Sequence, residues 1–316
     1  MLLLLACTAT PTFTEAQRSA GVEAAGNVEG DRLMFHVANL VTTRSEEEPY
    51  FPPEARYEGM PFTHLNSADY VAAALEGANL TPSIETGGLE GRETHTVLAD
   101  IPGGSNADEI VLVSAHHDAW FFGADDNATG VAVILEVARV LAYSEPDRTI
   151  RIVSFDREEE GLVGAAEYAS AHDGFYRIVN LDSVGYTDSA PGSQTSILGL
   201  DAPDTGDFLA VIAPEMAQDD LLASLALAAE LPSPMKTAGV LSNGNAHSAL
   251  TTDLLRSDHA PFWAMGVPGL FFTDTTQFRN PKYHTEEDTI DTLDPVFLAQ
   301  VGAFTAAVVA AYAEAE

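Results

Sequence analysis

Residues 110–143, IVLVSAHHDAWFFGADDNATGVAVILEVARVLAY, contain the pattern that decides the fold. The run 110–115 is apolar and rich in β-branched residues, which predicts a buried strand. Residues 128–143 are apolar on most sides and predict a buried helix. A polar loop joins the two. A buried strand that leads into a buried helix is the unit from which α/β proteins are built.

The same alternation continues on both sides of this stretch. Strands are predicted at 94–100, 149–155, 177–181, 195–200 and 269–273, and helices at 31–42, at 68–75 with Ser67 as its cap, at 161–172, 205–230 and 258–265, and from Pro295 onward. A loop is expected at 239–248. Because strands alternate with helices, we predict a three-layer α/β/α sandwich around a mixed, mostly parallel sheet. No internal repeat is visible, so residues 30–316 are predicted to form one catalytic domain.

The composition excludes several classes of function. The chain has 48 Asp+Glu against 14 Lys+Arg, a formal net charge of −34. A surface this acidic repels phosphate backbones, so nucleic acid is excluded as a partner. The single cysteine, Cys7, rules out an internal disulfide and a cysteine-built zinc site. No apolar run reaches the roughly 18 residues of a membrane span.

The first residues resemble part of an export signal. The sequence Leu4-Leu5-Ala6-Cys7 is similar to the cleavage box of a bacterial lipoprotein. It has no basic segment before it, and its apolar stretch is shorter than the roughly 7–15 residues of a working signal. We therefore interpret residues 1–29 as a truncated signal and tether, with a lipid anchor on Cys7 and a location outside the cell or in the cell envelope. The alternative is the frayed N-terminus of a cytoplasmic protein.

Histidine and acidic residues occur where the predicted strands end. They are His116 and Asp118, Glu158 and Glu159, and Asp182, with Asp126 in the turn before the long helix and His284 after the last strand. In open α/β sheets, ligands bind at the carboxyl ends of the strands. Imidazoles and carboxylates are the ligands that zinc takes when cysteine is absent. The number of residues suits a two-metal site with one shared carboxylate.

Each of these residues also has a simpler interpretation. Asp125-Asp126 fits a turn that caps a helix. A run of three acids such as Glu158-Glu159-Glu160 is expected about once by chance in a chain this acidic. Glu46-Glu47-Glu48 is such a run, and we assign it no role. Glu158 and Glu159 differ from it because they lie between an apolar strand and a helix.

Five motifs in order carry a family resemblance: HHDAWFFGADDNATG, SFDREEEGLVGAAEYA, VNLDSVGY, SDHAPFWAMGVPGLFFTD and YHTEEDTID. They resemble the di-zinc metallopeptidases that include bacterial leucyl aminopeptidases, plasma glutamate carboxypeptidase and the inactive transferrin receptors. The resemblance covers about residues 94–316. It implies a zinc-peptidase fold of the phosphorylase/hydrolase type and hydrolysis of a peptide substrate, most simply removal of its N-terminal residue.

The resemblance also implies roles for individual residues. His116 and Asp182 would bind one zinc, Glu159 and His284 the other, and Asp126 both. Asp118 would stand behind His116. Glu158 would serve as general base and then acid for a water that the two zinc ions activate. All ligands are retained, so we expect an active enzyme, and other divalent metals remain alternatives because sequence defines ligand type better than metal identity.

Residues for the substrate are less sharply indicated. Tyr283 could hydrogen-bond the tetrahedral oxyanion or be a packing tyrosine. Asp258 and His259 are expected to support the site or its pocket wall. Arg279 is the basic residue nearest in sequence to a ligand, and it would suit a substrate carboxylate or form a structural ion pair. Because basic residues are scarce, an aminopeptidase is favoured over a carboxypeptidase or dipeptidase.

Two further alternatives stay open. A glutaminyl-peptide cyclase shares the fold and most ligands with one zinc, but typically has Trp before the last histidine, where this chain has Tyr283. A non-catalytic receptor-like scaffold would be expected to have lost ligands, and none is lost here.

Overall fold

The computed structural model describes residues 11–89, 92–195, 203–242 and 253–315. The strands are β1 Phe62–Thr63, β2 Ser83–Leu89, β3 Arg92–Ile101, β4 Asn106–His116, β5 Ala119–Trp120, β6 Arg148–Phe155, β7 Phe175–Leu181, β8 Leu209–Pro214, β9 Thr237–Ser242 and β10 Gly269–Thr273. The α-helices are α1 Glu15–Gly26, α2 Gly30–Ser45, α3 Leu65–Gly77, α4 Gly130–Leu141, α5 Val163–Ala171, α6 Gln218–Glu230, α7 His259–Ala264 and α8 Pro295–Ala313.

Eight of these strands form one twisted sheet in the order β2-β3-β6-β4-β7-β10-β8-β9. The four central strands β6, β4, β7 and β10 run parallel to one another. Strand β9 is parallel to β8, and the remaining pairs are antiparallel. The predicted mixed sheet is therefore confirmed. Because the central strands are parallel, their carboxyl ends lie at one edge of the sheet.

Helices cover both faces of the sheet because the strands are apolar on both. In β4, Val111 and Val113 belong to one buried cluster and Leu112 to another on the opposite face. The first cluster includes side chains of α1–α4, α6 and α8, and the second includes side chains of α5 and α7. Burying each large apolar side chain contributes about 1.5–3 kcal/mol. Two dry layers of this kind hold the central strands rigidly in place.

Helix α8 is apolar around its whole circumference. It begins at Pro295, and the carboxylate of Asp294 accepts hydrogen bonds from the backbone N–H groups of Val296 and Phe297 at 3.0 and 3.1 Å. Among the described residues it is the helix long and apolar enough to cross a membrane. However, 78% of its most apolar window is buried inside the protein. Its composition is thus explained by its place in the core.

The packed domain begins earlier than expected. Helix α1 lies within the segment that we interpreted as signal and tether, but it packs against α8. Thr14 and Gln17 form a reciprocal capping box at its start. The Phe13 ring meets that of Tyr312 edge-on at 5.6 Å. A tether over residues 13–29 is therefore wrong, whereas Cys7 and residues 1–10 lie outside the described residues.

Three local predictions also need correction. Residues Leu209–Pro214, within the helix predicted over 205–230, form β8. The prediction failed because a short apolar run buried on both faces has no periodicity that distinguishes a strand from a helix. Strand β9 occupies the first part of the expected loop 239–248, and the rest of that loop, like the predicted strand residues 196–200, lies outside the described residues. Helix α3 begins at Leu65, so Ser67 is not its cap.

Candidate metal centre

The carboxyl edge of the central strands carries the polar residues that the sequence singled out. His116 is the last residue of β4, and Asp182 directly follows β7. Glu158 and Glu159 lie in the turn between β6 and α5. Parallel strands place these groups side by side although they are far apart in sequence. His284 reaches the same edge from the segment that precedes α8.

Four of these side chains converge on the carboxylate of Asp126. Its Oδ1 lies 3.3 Å from Nε2 of His116, which in turn lies 3.7 Å from Oδ1 of Asp182. Its Oδ2 lies 3.0 Å from Nε2 of His284, which is also 3.0 Å from the Glu159 carboxylate. The structure thus brings together all five predicted ligands in two groups. Asp126 belongs to both groups, one oxygen in each.

The donor atoms fit a pair of zinc ions. Nδ1 of His116 lies 3.1 Å from the carbonyl oxygen of Asp118, to which it can donate, so Nε2 is left with a lone pair. That Nε2 is buried and has no hydrogen-bond partner among the described residues. Nitrogen and carboxylate oxygen are ligands that zinc accepts. An unpartnered buried nitrogen facing carboxylates indicates a site built for a cation.

The turn Ala124–Thr129 places Asp126 between the two histidines. Gly123 before it has a left-handed backbone with φ of 53°, and a Cβ there would overlap the carbonyl oxygen of Asp126. The peptide bond between Asp126 and Asn127 is cis. The Asn127 side chain donates to the Leu181 carbonyl at 2.9 Å. The turn is therefore tied to the end of β7, next to Asp182.

A second layer of acidic residues holds this turn from behind. Asp288 accepts from the backbone N–H groups of Asp125 and Asp126 at 2.9 and 3.2 Å. Asp125 accepts from the Asn280 side chain at 3.0 Å and is not directed at the ligands. Burial raises the pKa of Asp288 to about 6. Sequence reasoning assigned no role to Asp288, which ends the acidic run Glu286-Glu287-Asp288.

Asp118 positions the segment that carries Glu158 and Glu159. Its two carboxylate oxygens accept from the backbone N–H groups of Glu158 and Glu159, each at 3.1 Å. It also contacts the Nδ1 side of His116, with Oδ1 at 3.4 Å. The single buried carboxylate of Asp118 therefore positions His116 and the segment Glu158-Glu159 relative to each other.

Glu158 lies beside the ligands but belongs to neither ligand group. It is buried, and its Oε2 lies 4.0 Å from Nε2 of His116. Burial raises the pKa of Glu158 well above its usual range, against the pull of His116 and with the help of the Asp182 charge. For Glu159, burial and the charge of Asp126 raise the pKa to about 7. A carboxyl group with a raised pKa beside metal ligands is suited to exchanging protons.

The pKa values of His116 and His284 are raised. Burial disfavours the charged form of His284, but the carboxylates of Glu159 and Asp126 outweigh it and raise its pKa to about 10. The ring of Tyr283 stacks on His284 with centroids 3.8 Å apart. Burial, followed by the charges of Asp126 and Glu159, raises the pKa of Tyr283, so its hydroxyl stays a hydrogen-bond donor. Tyr283 lines the cavity over the ligands.

His259 is not a site residue. Its ring stacks on Phe271 with centroids 4.2 Å apart and meets Trp263 edge-on. Its Nε2 lies 2.9 Å from the Leu254 carbonyl, to which it donates. Burial lowers its pKa to about 3. Asp258 beside it is fully buried and both its carboxylate oxygens lack a partner among the described residues, yet it does not line the cavity.

Arg279 does not face the cavity either. It is buried over the ring of Phe208 and donates to the side chain of Gln194 at 3.0 Å. The charges of Asp274 and Asp125 lie near it. Of the two interpretations of Arg279, this placement favours a structural partner of buried acids over a ligand of the substrate, because the side chain lies in a polar cluster behind the ligands.

The cavity above the ligands has a volume of about 310 Å³. One side is apolar and includes Ile212, Phe271 and Phe278. Two exposed arginines, Arg56 and Arg256, also line it. Sequence reasoning missed both: Arg56 is distant along the chain from every motif, and Arg256 directly precedes the motif that begins at Ser257 but is far in sequence from the ligands.

Sequence reasoning also missed a third arginine, Arg44, because it lies far along the chain from every motif. It is buried in α2 and donates to the carbonyl oxygens of His117, Phe122 and Gly123 and to the Ser67 hydroxyl. These contacts brace the loop between His116 and Asp126. No local signal in α2 marks the residue for this task.

Comparison with known proteins places the chain among peptidases. The model of peptidase family M28 matches residues 96–309. Protein YfbL of Escherichia coli K12, described as uncharacterized, is 30% identical over 254 residues, 74% of this chain and 76% of that protein. Aminopeptidase YwaD of Bacillus subtilis is 30% identical over 213 residues, 64% of this chain. The match spans 40% of YwaD.

Solved structures share the fold. The LapA aminopeptidase of Legionella pneumophila superposes with a TM-score of 0.71 at 17% identity, over 99% of this chain and 79% of that one. A glutaminyl cyclase of Porphyromonas gingivalis superposes with a TM-score of 0.59 at 18% identity, over 89% of this chain and 98% of that one. At these identities the likeness establishes the α/β/α architecture alone.

Proposed function

The chain belongs to peptidase family M28 and is a zinc metallopeptidase, and on this premise we propose that it is an aminopeptidase with two zinc ions. The observation that carries the proposal is the Asp126 carboxylate, which lies between His116 and His284. A shared carboxylate with separate ligands on each side is the arrangement that a two-metal site requires.

His116 and Asp182 would hold one zinc ion, Glu159 and His284 the other, and Asp126 both. The chemistry expected of such a pair is activation of a water and polarisation of the scissile carbonyl. The chain's own groups do the rest: they orient the substrate, exclude bulk water and move protons.

Glu158 is the group that moves the proton. It lies beside the ligands without belonging to either group, and burial raises its pKa. It can accept a proton from the attacking water and then donate it to the nitrogen of the leaving amine. Asp118 keeps Glu158 at the right place through the backbone N–H at 3.1 Å. The Tyr283 hydroxyl, a donor at the cavity wall, can stabilise the negative oxygen that develops on the carbonyl.

The charge of the cavity supports recognition of a free α-amine. Besides the ligands and Glu158, Asp253 lines it, and such a carboxylate attracts an ammonium group. The apolar wall of Ile212, Phe271 and Phe278 suits an uncharged side chain. The aminopeptidase description of YwaD points the same way. We therefore propose removal of apolar N-terminal residues.

One observation favours a second candidate. Arg56 and Arg256 at the cavity could bind the carboxylate at the other end of a short peptide, as a dipeptidase or carboxypeptidase requires. Arg256 is already engaged with Gln277 and lies 3.9 Å from Asp253, which reduces its availability. This is the reason we place the aminopeptidase first.

The test combines metal content with substrate choice. Purified protein is assayed for zinc by mass spectrometry and for hydrolysis of leucyl-anilide, of acetyl-leucyl-anilide and of acetylated dipeptides. The proposal expects two zinc equivalents per chain that are lost in Asp126→Ala, and cleavage of the free amine alone. Cleavage of the acetylated dipeptides alone, abolished by Arg56→Ala, would establish the second candidate. One zinc ion with cyclisation of glutaminyl peptides would replace both.

Export and lipid attachment at Cys7 are a separate proposal that rests on the sequence alone. Labelling with a radioactive fatty acid in a bacterial host tests it, with Cys7→Ser as the control. Label in both proteins, or in neither, would contradict it.

A further inference from the structure

A second cluster of histidine and aspartate lies outside the centre described above. It consists of His64 in the turn before α3, His95 on β3, and Asp156 directly after β6. One ligand atom from each lies within 4.8 Å of the other two. The three come from segments distant in sequence, and none of them belongs to the two ligand groups around Asp126. We call these three residues the β3–β6 cluster.

The cluster is arranged around one carboxylate. Oδ2 of Asp156 lies 2.9 Å from Nδ1 of His64 and 3.7 Å from Nδ1 of His95. It also accepts the backbone N–H of His95 at 2.8 Å. Oδ1 of Asp156 faces Nε2 of His117 at 3.9 Å. Three imidazoles therefore surround a single buried acid.

Hydrogen bonding within the protein leaves this arrangement incomplete. Nδ1 of His95, Nε2 of His117 and Oδ1 of Asp156 are all buried atoms without a partner among the described residues. Leaving such an atom without a partner is unfavourable for the folded protein. An ordinary histidine–aspartate pair would satisfy its acid. Three unpartnered atoms in one place indicate that something else occupies the space between them.

We propose that the β3–β6 cluster binds a divalent transition-metal ion, with zinc the first choice, through His64, His95 and Asp156. Two imidazole nitrogens and a carboxylate oxygen form a ligand set that zinc accepts, with a fourth position left for water. His95 is 21% exposed at its side chain, which provides a route of entry, whereas Asp156 is fully buried. His117 remains as an outer partner of the second carboxylate oxygen.

The ion would have a structural effect on the main centre. Asp156 lies two residues before Glu158 and three before Glu159 in the same turn. An ion at Asp156 would cross-link this turn to β3 and to the start of α3. The inference does not depend on the proposed peptidase mechanism.

Metal counting in two variants tests the proposal. Asp126→Ala removes the shared ligand of the main centre, and the same protein with His95→Gln added also removes one ligand of the β3–β6 cluster. Each protein is stripped with a chelator, incubated with Zn²⁺ alone, dialysed and analysed by mass spectrometry. We expect one zinc equivalent per chain to be lost when His95→Gln is added.

The matched control is His172→Gln. His172 pairs with Glu85 at 2.9 Å, as His64 does with Asp156, but no second histidine belongs to this pair in the described structure. It should leave the zinc count unchanged. Equal zinc in Asp126→Ala with and without His95→Gln would overturn the proposal, whatever the activity of the wild type.

A second measurement guards against misfolding of the Asp126 variant. In otherwise wild-type protein, His95→Gln should lower the zinc count by one equivalent and reduce the rise in melting temperature that added Zn²⁺ produces. Wild-type and His95→Gln proteins with the same count and the same rise would also overturn the proposal. This comparison leaves every ligand of the main centre in place.

Discussion

His284 and His259 show how two regions of one molecule use the same side chain differently. At the carboxyl edge of the sheet, His284 lies 3.0 Å from carboxylates of Asp126 and Glu159, and its pKa is raised to about 10. In the apolar layer under α7, His259 is stacked on Phe271, and its pKa is lowered to about 3. Burial opposes the charge in both places. At the edge of the sheet, the carboxylates of Asp126 and Glu159 outweigh burial and raise the pKa of His284, whereas among the described residues no carboxylate does so for His259.

The difference shows that neighbours, not residue type, define a metal centre. Both histidines stand in polar motifs, SDHAPF and YHTEEDTID, and both were assigned to the site from sequence. His259 is turned into a layer of aromatic rings, where a neutral imidazole packs well. His284 is turned toward acids that repel one another without a cation. Four experiments test this contrast.

The largest effect is expected from Asp126→Ala. Because Asp126 faces both histidines, its loss should release both zinc ions of the main centre and abolish hydrolysis. Asp182→Ala is the matched control, since Asp182 faces only His116 and should cost a single ion. Zinc analysis and leucyl-anilide turnover measure both. If both variants lost the same amount of zinc, Asp126 would not be shared.

Glu158→Gln should slow turnover by about 10²–10⁴-fold, the range for loss of a general base. Its zinc content should equal that of the wild type, because Glu158 belongs to neither ligand group. Glu159→Gln, one residue away, should instead lose zinc. Steady-state kinetics and mass spectrometry distinguish the two. Zinc loss in Glu158→Gln would mean that base and ligand have been exchanged.

Asp118→Asn should lower kcat/KM or zinc affinity by about 10–100-fold, as loss of an outer partner does. The amide can accept only one of the two backbone N–H bonds from Glu158 and Glu159. The control is Asp100→Asn, which alters an ion pair between Asp100 on β3 and Arg151 on β6, away from the ligands. An unchanged Asp118→Asn enzyme would show that the two N–H bonds do not position Glu158.

The smallest effect concerns the apolar layer and pH. His259 cannot be protonated in the folded protein until about pH 3, whereas the unfolded chain takes up that proton near pH 6.5. The contribution of neutral His259 to the free energy of unfolding is therefore intact above pH 6.5. It is lost as the pH falls below 6.5, by about 2 kcal/mol at pH 5. In His259→Phe, the free energy of unfolding should therefore fall by about 2 kcal/mol less between pH 7 and pH 5 than in the wild type.

Urea unfolding of the metal-free protein at pH 7 and pH 5 measures this difference. Metal-free protein is used so that release of zinc does not contribute. His172→Gln serves as a control, because that histidine lies at the surface. Wild type and His259→Phe with the same loss between the two pH values would contradict the burial argument.

Much of the fold followed from local patterns. The run 110–115 and the helix after it were correctly placed because a β-branched apolar run and a long apolar helix differ in length and composition. Strand β8 was missed because LAVIAP is equally compatible with either state. Helix α1 was missed because its stability comes from contact with α8, nearly 300 residues away, and not from its own weakly patterned sequence.

Local sequence patterns were enough to identify the family, the α/β class and the groups that the structure brings around Asp126. Strand ends and motif order are local properties, and parallel strands convert them into one edge. Tertiary structure alone decided that Asp288 and Arg44 hold the site from behind, that His259 and Arg279 turn away, and that Asp156 gathers three histidines. These roles depend on which side chains from distant parts of the chain lie within 4 Å of one another. The residues adjacent in sequence do not determine that distance.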